Sequence, residues 1–239
     1  RDYYASRGLG DVYKRQGLLK MDFLGLRNLT VLDDAVKMVQ TQQPDFTLAD
    51  IPEGDPETYK MLSDGKTNGV FQMESTGMTG VCVGLKPQSI EDITAIIALY
   101  RPGPMDSIPT YLRNRHEPDK ISYKTPQLAH ILDVTNGCIV YQEQVMQIFR
   151  ELAGFSFGQA DNVRRAMSKK KHAVMEAERE HFVHGCTDPG NECPGCVANG
   201  ISEKVANEIY DEMSSFASYA FNKSHAACYA YVAFQTAYL

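Results

Sequence analysis

Apolar residues recur along the chain mostly three and four positions apart, the spacing of a helix with one buried face. Leu29, Leu32, Val36 and Val39 predict a helix from about Asn28 to Gln40. Asp55 followed by Pro56 reads as a helix start, the carboxylate as N-cap and the proline in the first turn, with Gly65 as the stop. Ser89 caps a predicted helix whose face is Ile90, Ile93, Ile97 and Tyr100, and Pro102 ends it by lacking an N–H and disfavouring helix before it. Val145, Ile148, Phe149 and Leu152 form another stripe, closed by Gly154. Ser156 and Gln159 then read as a capping box for a helix through Arg164 and Met167. Val205, Ile209, Met213 and Phe216 mark a helix after Ser202. A last one begins near Asn222 to Ser224 and carries Tyr229, Val232, Ala233 and Thr236. Two stretches break this period. Leu18 to Leu24, interrupted by Lys20 and Asp22, fits a strand ending at Gly25, and Cys138 to Tyr141 fits a second short strand. The pattern predicts a mainly α fold, without internal repeats.

Composition narrows the class. With 239 residues, 43% hydrophobic and 23% charged, the chain can bury a core of ordinary globular kind. Its net charge of −6 means that a nucleic-acid partner has to be held by a local basic patch. No apolar run reaches the ~18 residues of a membrane span, and no apolar signal core stands at the N-terminus, so no membrane partner is expected. The six cysteines are scattered through a chain large enough to need no disulfide, and a reducing, cytoplasmic setting is expected. Residues 1–16 are polar and tyrosine-rich, show no clear period, and are read as foreign to the fold. The sequence stops inside an apolar helical pattern at Leu239, which suggests a piece of a longer chain.

Four groups of residues carry candidate chemistry. Ala160 to His172 holds Arg164, Arg165, Lys169, Lys170 and Lys171 against Asp161 alone. A solvated basic face is the commoner meaning of such a run. The sharper one is a polyphosphate clamp, because guanidinium forks match phosphate oxygens and lysines add point charge. Asn222, Lys223, Ser224 and His225 open the last helix, and a helix N-terminus with basic neighbours suits an anion, although a plain N-cap explains the same residues. Asp22 lies among apolar neighbours near a strand end with Lys20 on its face, which fits either a metal ligand or an ion pair. His184, Cys186, Cys193 and Cys196 could together hold zinc tetrahedrally, but the spacing is irregular and chance cysteines in a Gly- and Pro-containing loop are the simpler reading. The Arg101-Pro102-Gly103-Pro104 turn reads as a helix stop, and Tyr141-Gln142-Glu143-Gln144 as a solvated first turn.

Taken together, LLKMDFLGLRNLTVLDDA, GVFQMESTGM, LYRPGP, YQEQVMQIF, ADNVRRAMSKKK and AFNKSHAACYAYVAFQT resemble, in order and spacing, the C-family replicative polymerases, the alpha subunits of bacterial DNA polymerase III. The resemblance runs from about Gly17 to Leu239. It implies a helical fingers domain over residues 28–239, preceded at 17–27 by one terminal strand of a nucleotidyltransferase-like α/β palm. It implies that Asp22 is the third carboxylate of a catalytic triad and Lys20 the basic residue beside it. The triad's other two carboxylates belong to an Asp-x-Asp motif that this sequence lacks. Arg164 and Arg165, extended by Lys169, Lys170 and Lys171, would meet the incoming triphosphate, and Asn222, Lys223, Ser224 and His225 would line the nucleotide site.

The implied cofactor is a pair of Mg²⁺ ions, one bound by Asp22, while Zn²⁺ is not expected. The implied partners are primer-template DNA, deoxynucleoside triphosphates and, through the longer chain, a sliding clamp and other replicase subunits. With a single triad carboxylate, the piece alone is expected to be inactive. Two other readings compete: a non-catalytic helical nucleic-acid-binding module, which would not need Asp22, and a small zinc-containing interaction domain around Cys186 to Cys196. Both leave the ordered motifs unexplained.

Overall fold

The computed structural model describes Gly17 and residues 25–168, 172–217 and 221–239, which divide into two units, Arg1–Pro44 and Asp45–Leu239. Twelve α-helices occur among the described residues. In the first unit, α1 (Arg27–Gln40) follows the predicted helix, but its stripe is narrower than the spacing suggests. Leu32 and Val36 are buried, whereas Leu29 is 53% exposed. The predicted strand from Leu18 to Leu24, the palm end of the expected fold, lies outside the described residues.

The second unit begins with α2 (Pro56–Ser63), α3 (Thr76–Leu85), α4 (Ile90–Leu99) and α5 (Ile108–His116). The Asp55 carboxylate accepts from Thr58 N at 2.8 Å, and Ser89 Oγ from Asp92 N at 3.2 Å, so both predicted caps satisfy first-turn amides. In α4 every residue but Glu91 is buried. A helix apolar on all sides sits inside a domain. The last helix, α12 (Lys223–Tyr238), packs along it and against α2. Ala226, Ala230, Ala233 and Ala237 form a buried stripe on α12, and small side chains allow close backbone approach. Phe71 N donates to Thr236 Oγ1 at 2.9 Å, which ties the chain before α3 to the far end of α12.

Between these elements run α6 (Ala129–Leu132), α7 (Gln142–Ala153), α8 (Phe157–Ser168), α9 (His172–His184), α10 (Gly195–Ala198) and α11 (Glu203–Ala217). They close around the fully buried Phe149, Phe182 and Tyr210, whose rings pair at 5.0–6.0 Å, partly edge to face. Gly154 ends α7 at φ 75°, and a side chain there would drive into Pro194. The predicted Ser156–Gln159 capping box is present, at 2.7 and 3.3 Å.

One expectation fails. Cys138 to Tyr141 is not a strand but makes a single parallel bridge, Tyr141 to Phe221. The amides of Val140 and Tyr141 are taken by the Gln144 side chain, leaving no donors there for a ladder. Among the described residues there is no sheet, and the fold is mainly α.

Candidate functional site

The site is organised by the first turn of α7. Gln144, only 5% exposed, accepts from Val140 N at 2.9 Å and Tyr141 N at 3.0 Å through Oε1. Its Nε2 donates to Ile131 O at 3.1 Å and Thr135 Oγ1 at 2.7 Å. A carboxamide has two donors and one carbonyl oxygen, so the group is fully used and the backbone entering α7 is fixed. The buried Tyr141 then bridges to Phe221, and Gln142 N donates to Phe221 O at 3.0 Å.

The first turn of α7 meets both candidate cation groups, that of α12 through this bridge and Glu143, and that of α8 through Gln142. From α8, Arg164 Nη1 donates to Gln142 Oε1 at 3.0 Å, while its Nε and Nη2 meet Asp161 Oδ1 at 2.9 and 2.7 Å. Arg165 reaches the other Asp161 oxygen at 2.7 Å. The hydrogen bond from Arg164 leads the causes that hold the Asp161 carboxyl below the usual carboxylate range. Arg164 is mostly covered and Arg165 is 64% exposed, so the two guanidiniums are a fixed one and an accessible one.

From α12, Asn222 Oδ1 caps His225 N at 2.8 Å, which makes Asn222 rather than Ser224 the N-cap. The Glu143 carboxylate accepts from Asn222 Nδ2 at 2.8 Å and from Lys223 N at 3.1 Å to each oxygen. In this structure the first-turn amide of Lys223 is therefore met by a protein carboxylate, the arrangement that the partial positive end of a helix favours. Asn222, Lys223, Ser224 and His225 are all exposed, with Lys223 Nζ 5.5 Å from the Tyr141 ring centroid. The Phe221 ring lies under Arg101 at 3.7 Å. His225 stacks between Phe221 and Tyr229, at 5.3 and 4.2 Å. Burial pulls the Arg101 guanidinium below its usual range.

The structure thus joins the group of Arg164 and Arg165 and that of Asn222, Lys223, Ser224 and His225 to one turn. Asp22, Lys20, Lys169, Lys170 and Lys171 lie outside the described residues. The possible zinc set is not assembled. Cys186 and Cys193 face each other across an antiparallel bridge, Cys196 is fully buried in the aromatic cluster, and His184 points to Glu180 and Glu203, each at 3.9 Å. Among the described residues no group of three or more His, Cys, Asp or Glu is placed to hold a metal ion, and the donor set of this site suits an anion rather than Mg²⁺.

Arg101, Gln142, Glu143 and Gln144 are parts of the site that periodicity misses. The Tyr141-to-Gln144 stretch is not a solvated first turn: two of its residues are buried and three of its side chains reach other elements. The available signal was chemical, a run of three amide and acid side chains where one N-cap would suffice.

Comparison with known proteins identifies the family. Residues 28–190 match the family model described as bacterial DNA polymerase III alpha subunit finger domain. The chain is 48% identical over 229 residues to DNA polymerase III subunit alpha of Thermus aquaticus, covering 93% of this chain and 18% of that protein. It is 46% identical over 224 residues to the Bacillus subtilis protein of the same name, covering 93% and 19%, and 43% identical over 227 residues to that of Staphylococcus epidermidis, covering 95% and 20%. The chain spans about a fifth of the length of these relatives. Mainly helical among its described residues, with paired arginines and an Asn-Lys-Ser-His cap that both meet the first turn of α7, the chain belongs to the finger-domain family of the bacterial DNA polymerase III alpha subunit.

Proposed function

We propose that this chain supplies the incoming-nucleotide side of a DNA-directed DNA polymerase active site. The reading is supported above all by the meeting of the Arg164–Arg165 pair and the Asn222-to-His225 turn with the first turn of α7. In the reaction a primer 3′-oxygen attacks the α-phosphorus of a deoxynucleoside triphosphate, the bond to the bridging oxygen breaks, and pyrophosphate leaves. The hydroxyl proton passes to solvent or a nearby base. Arg164, held by two partners, orients the β- and γ-phosphates, and the exposed Arg165 neutralises charge that grows on the leaving group. Lys223 and His225 face the same ligand from α12, and Lys169, Lys170 and Lys171 extend the basic run. Two Mg²⁺ ions, with Asp22 as one ligand and Lys20 beside it, would activate the hydroxyl and offset phosphate charge. Primer-template DNA is the second substrate, and clamp and replicase contacts belong to the longer chain.

Arg165→Ala in a full-length polymerase carrying this region is expected to raise the KM for nucleotide roughly tenfold or more, the size of a lost charge-assisted hydrogen bond. The Kd for primer-template stays within about twofold in that variant. Equal losses in both would make Arg165 a DNA-backbone contact and support the non-catalytic binding module instead. The 239-residue chain alone has one triad carboxylate and is expected not to extend a primer. Mg²⁺-dependent extension by the pure chain overturns that expectation.

A further inference from the structure

We propose that Cys186 and Cys193 form a reversible dithiol–disulfide pair, a modification site for peroxide-class oxidants that is separate from the nucleotide site. The two residues stand directly opposite each other in an antiparallel bridge and exchange both backbone hydrogen bonds, Cys186 N to Cys193 O and Cys193 N to Cys186 O, each at 2.9 Å. Opposed residues of a hydrogen-bonded pair put their side chains on the same face, with Cα atoms about 5.5 Å apart. That spacing lies inside the range of about 4.4–6.8 Å that a disulfide spans.

The register is set at both ends of the hairpin. At its tip Asn191 N donates to Asp188 O at 2.9 Å, and Glu192 accepts from Gly190 N at 2.9 Å. At its base Gly185 and Gly195, both at positive φ, approach so closely that a Cβ on Gly185 would lie 2.6 Å from Cys193 O and Pro194 O. A one-residue slip, which would turn one thiol away, is blocked by that contact. Both thiols are free in this structure.

The pair is asymmetric. Cys186 is partly exposed, and its sulfur accepts from Asp188 N at 3.5 Å. Cys193 is 7% exposed, donates to His181 O at 3.6 Å, and burial pushes its thiol up from the usual range. Oxidation therefore starts at Cys186. Its thiolate attacks one peroxide oxygen, the O–O bond breaks, hydroxide leaves and takes up the proton the thiol released to become water, and sulfur is oxidised to sulfenic acid. The Cys193 sulfur then attacks the Cys186 sulfur, the S–O bond breaks, and a second water leaves with the Cys193 proton. Cys196 stays out of the exchange. It is fully buried, and burial pushes its thiol up to about 12.

Closure is not free of strain. Cβ atoms of an opposed pair are about 4.5–5.5 Å apart, whereas a disulfide needs about 3.5–4.5 Å, so the hairpin has to pinch. A strained, partly exposed disulfide is reduced easily, which makes the modification reversible rather than structural.

The test treats the full chain carrying this region with hydrogen peroxide, alkylates remaining thiols, and maps peptides without reduction. The expected result is one species in which Cys186 is joined to Cys193 with loss of two hydrogen atoms, returned to free thiols by reduced glutathione. In Cys193→Ser, which keeps the hairpin backbone, peroxide instead leaves Cys186 as a trapped sulfenic acid; in Cys186→Ser, Cys193 remains alkylatable. Full alkylation of both cysteines after treatment, while the exposed Cys228 is oxidised, would overturn the proposal. So would a bond from Cys193 to Cys196, or a link that glutathione does not open.

Discussion

One face of α7 is held in two different ways. Ile148 and Leu152 are fully buried among apolar side chains of the cluster around Phe149, Phe182 and Tyr210. Gln144, one turn earlier on the same face, is equally enclosed but held by four hydrogen bonds. Dispersion and the hydrophobic effect have no preferred direction, so the first region accepts any well-fitting apolar volume. Buried hydrogen bonds have direction, and an unpaired amide has no substitute partner, so the second region accepts almost no other residue. The tolerant region supplies stability, and the intolerant one sets the geometry of the turn on which both cation groups rest.

The largest effect expected is on the tolerant side, because it holds the largest side chains. Phe149→Ala should lower unfolding free energy by about 3–5 kcal/mol, since it opens a cavity in a cluster whose other rings cannot all collapse inward. Urea unfolding measures this, and a loss below about 1 kcal/mol would mean that the cluster repacks. Volume-conserving exchange sharpens the comparison. Ile148→Leu should cost less than about 1.5 kcal/mol, whereas Gln144→Met, similar in shape, should cost about 2–3 kcal/mol because it leaves Val140 N and Tyr141 N buried without an acceptor. In a full-length enzyme Gln144→Met should also raise nucleotide KM, and Ile148→Leu should not. If both behave alike, direction is not what distinguishes the two regions. Next in size is Glu143→Gln, which keeps the shape of the α12 latch but removes its charge. A loss of about 0.5–1 kcal/mol is expected, and it should shrink in high salt.

The same contrast decides what could be read from the sequence. The apolar periods of α1, α4, α7 and α11 and the caps of α2, α4, α8 and α12 were legible because each is local: Asp55 caps Thr58, Ser156 pairs with Gln159, and Asn222 caps His225, all three residues away. On α12 the expected stripe of Tyr229, Val232, Ala233 and Thr236 is not the buried one: of these only Ala233 is buried, and the alanine face packs instead. The strand expected at Cys138 to Tyr141 was misread because four buried apolar residues in a row suit a strand equally well. What prevents one is a side-chain acceptor, Gln144, that no periodicity reports. α3 went unseen because Gly77, Gly80 and Gly84 lower its helix propensity, and tertiary packing against Tyr100 and Leu112 restores it. The cationic residues of the site stood out as charge. Their organisers did not, since Gln142 and Arg164 are 22 positions apart and Glu143 and Lys223 are 80 apart.

The smallest effect tests whether the charge balance of the site is separable from its geometry. Asp161 contacts both arginines, and Arg164 has a second anchor in Gln142. Asp161→Asn keeps an oxygen acceptor and removes one negative charge, so Arg164 should stay in place while the site attracts an incoming polyanion more strongly. Nucleotide KM in a full-length enzyme is expected to fall or hold, with a steeper salt dependence. A rise would show that Asp161 positions the arginines more than it offsets them. The pH dependence fixes the sign independently. The folded-state pKa of Asp161 lies below its ordinary 3.8, so its stabilising contribution is complete above that value and is lost as pH falls through the lowered one. The difference in melting temperature between the parent and Asp161→Asn should therefore be constant from neutral pH down to about 4 and shrink only below it. A difference that closes near pH 6 instead would point to a histidine and remove Asp161 as its source.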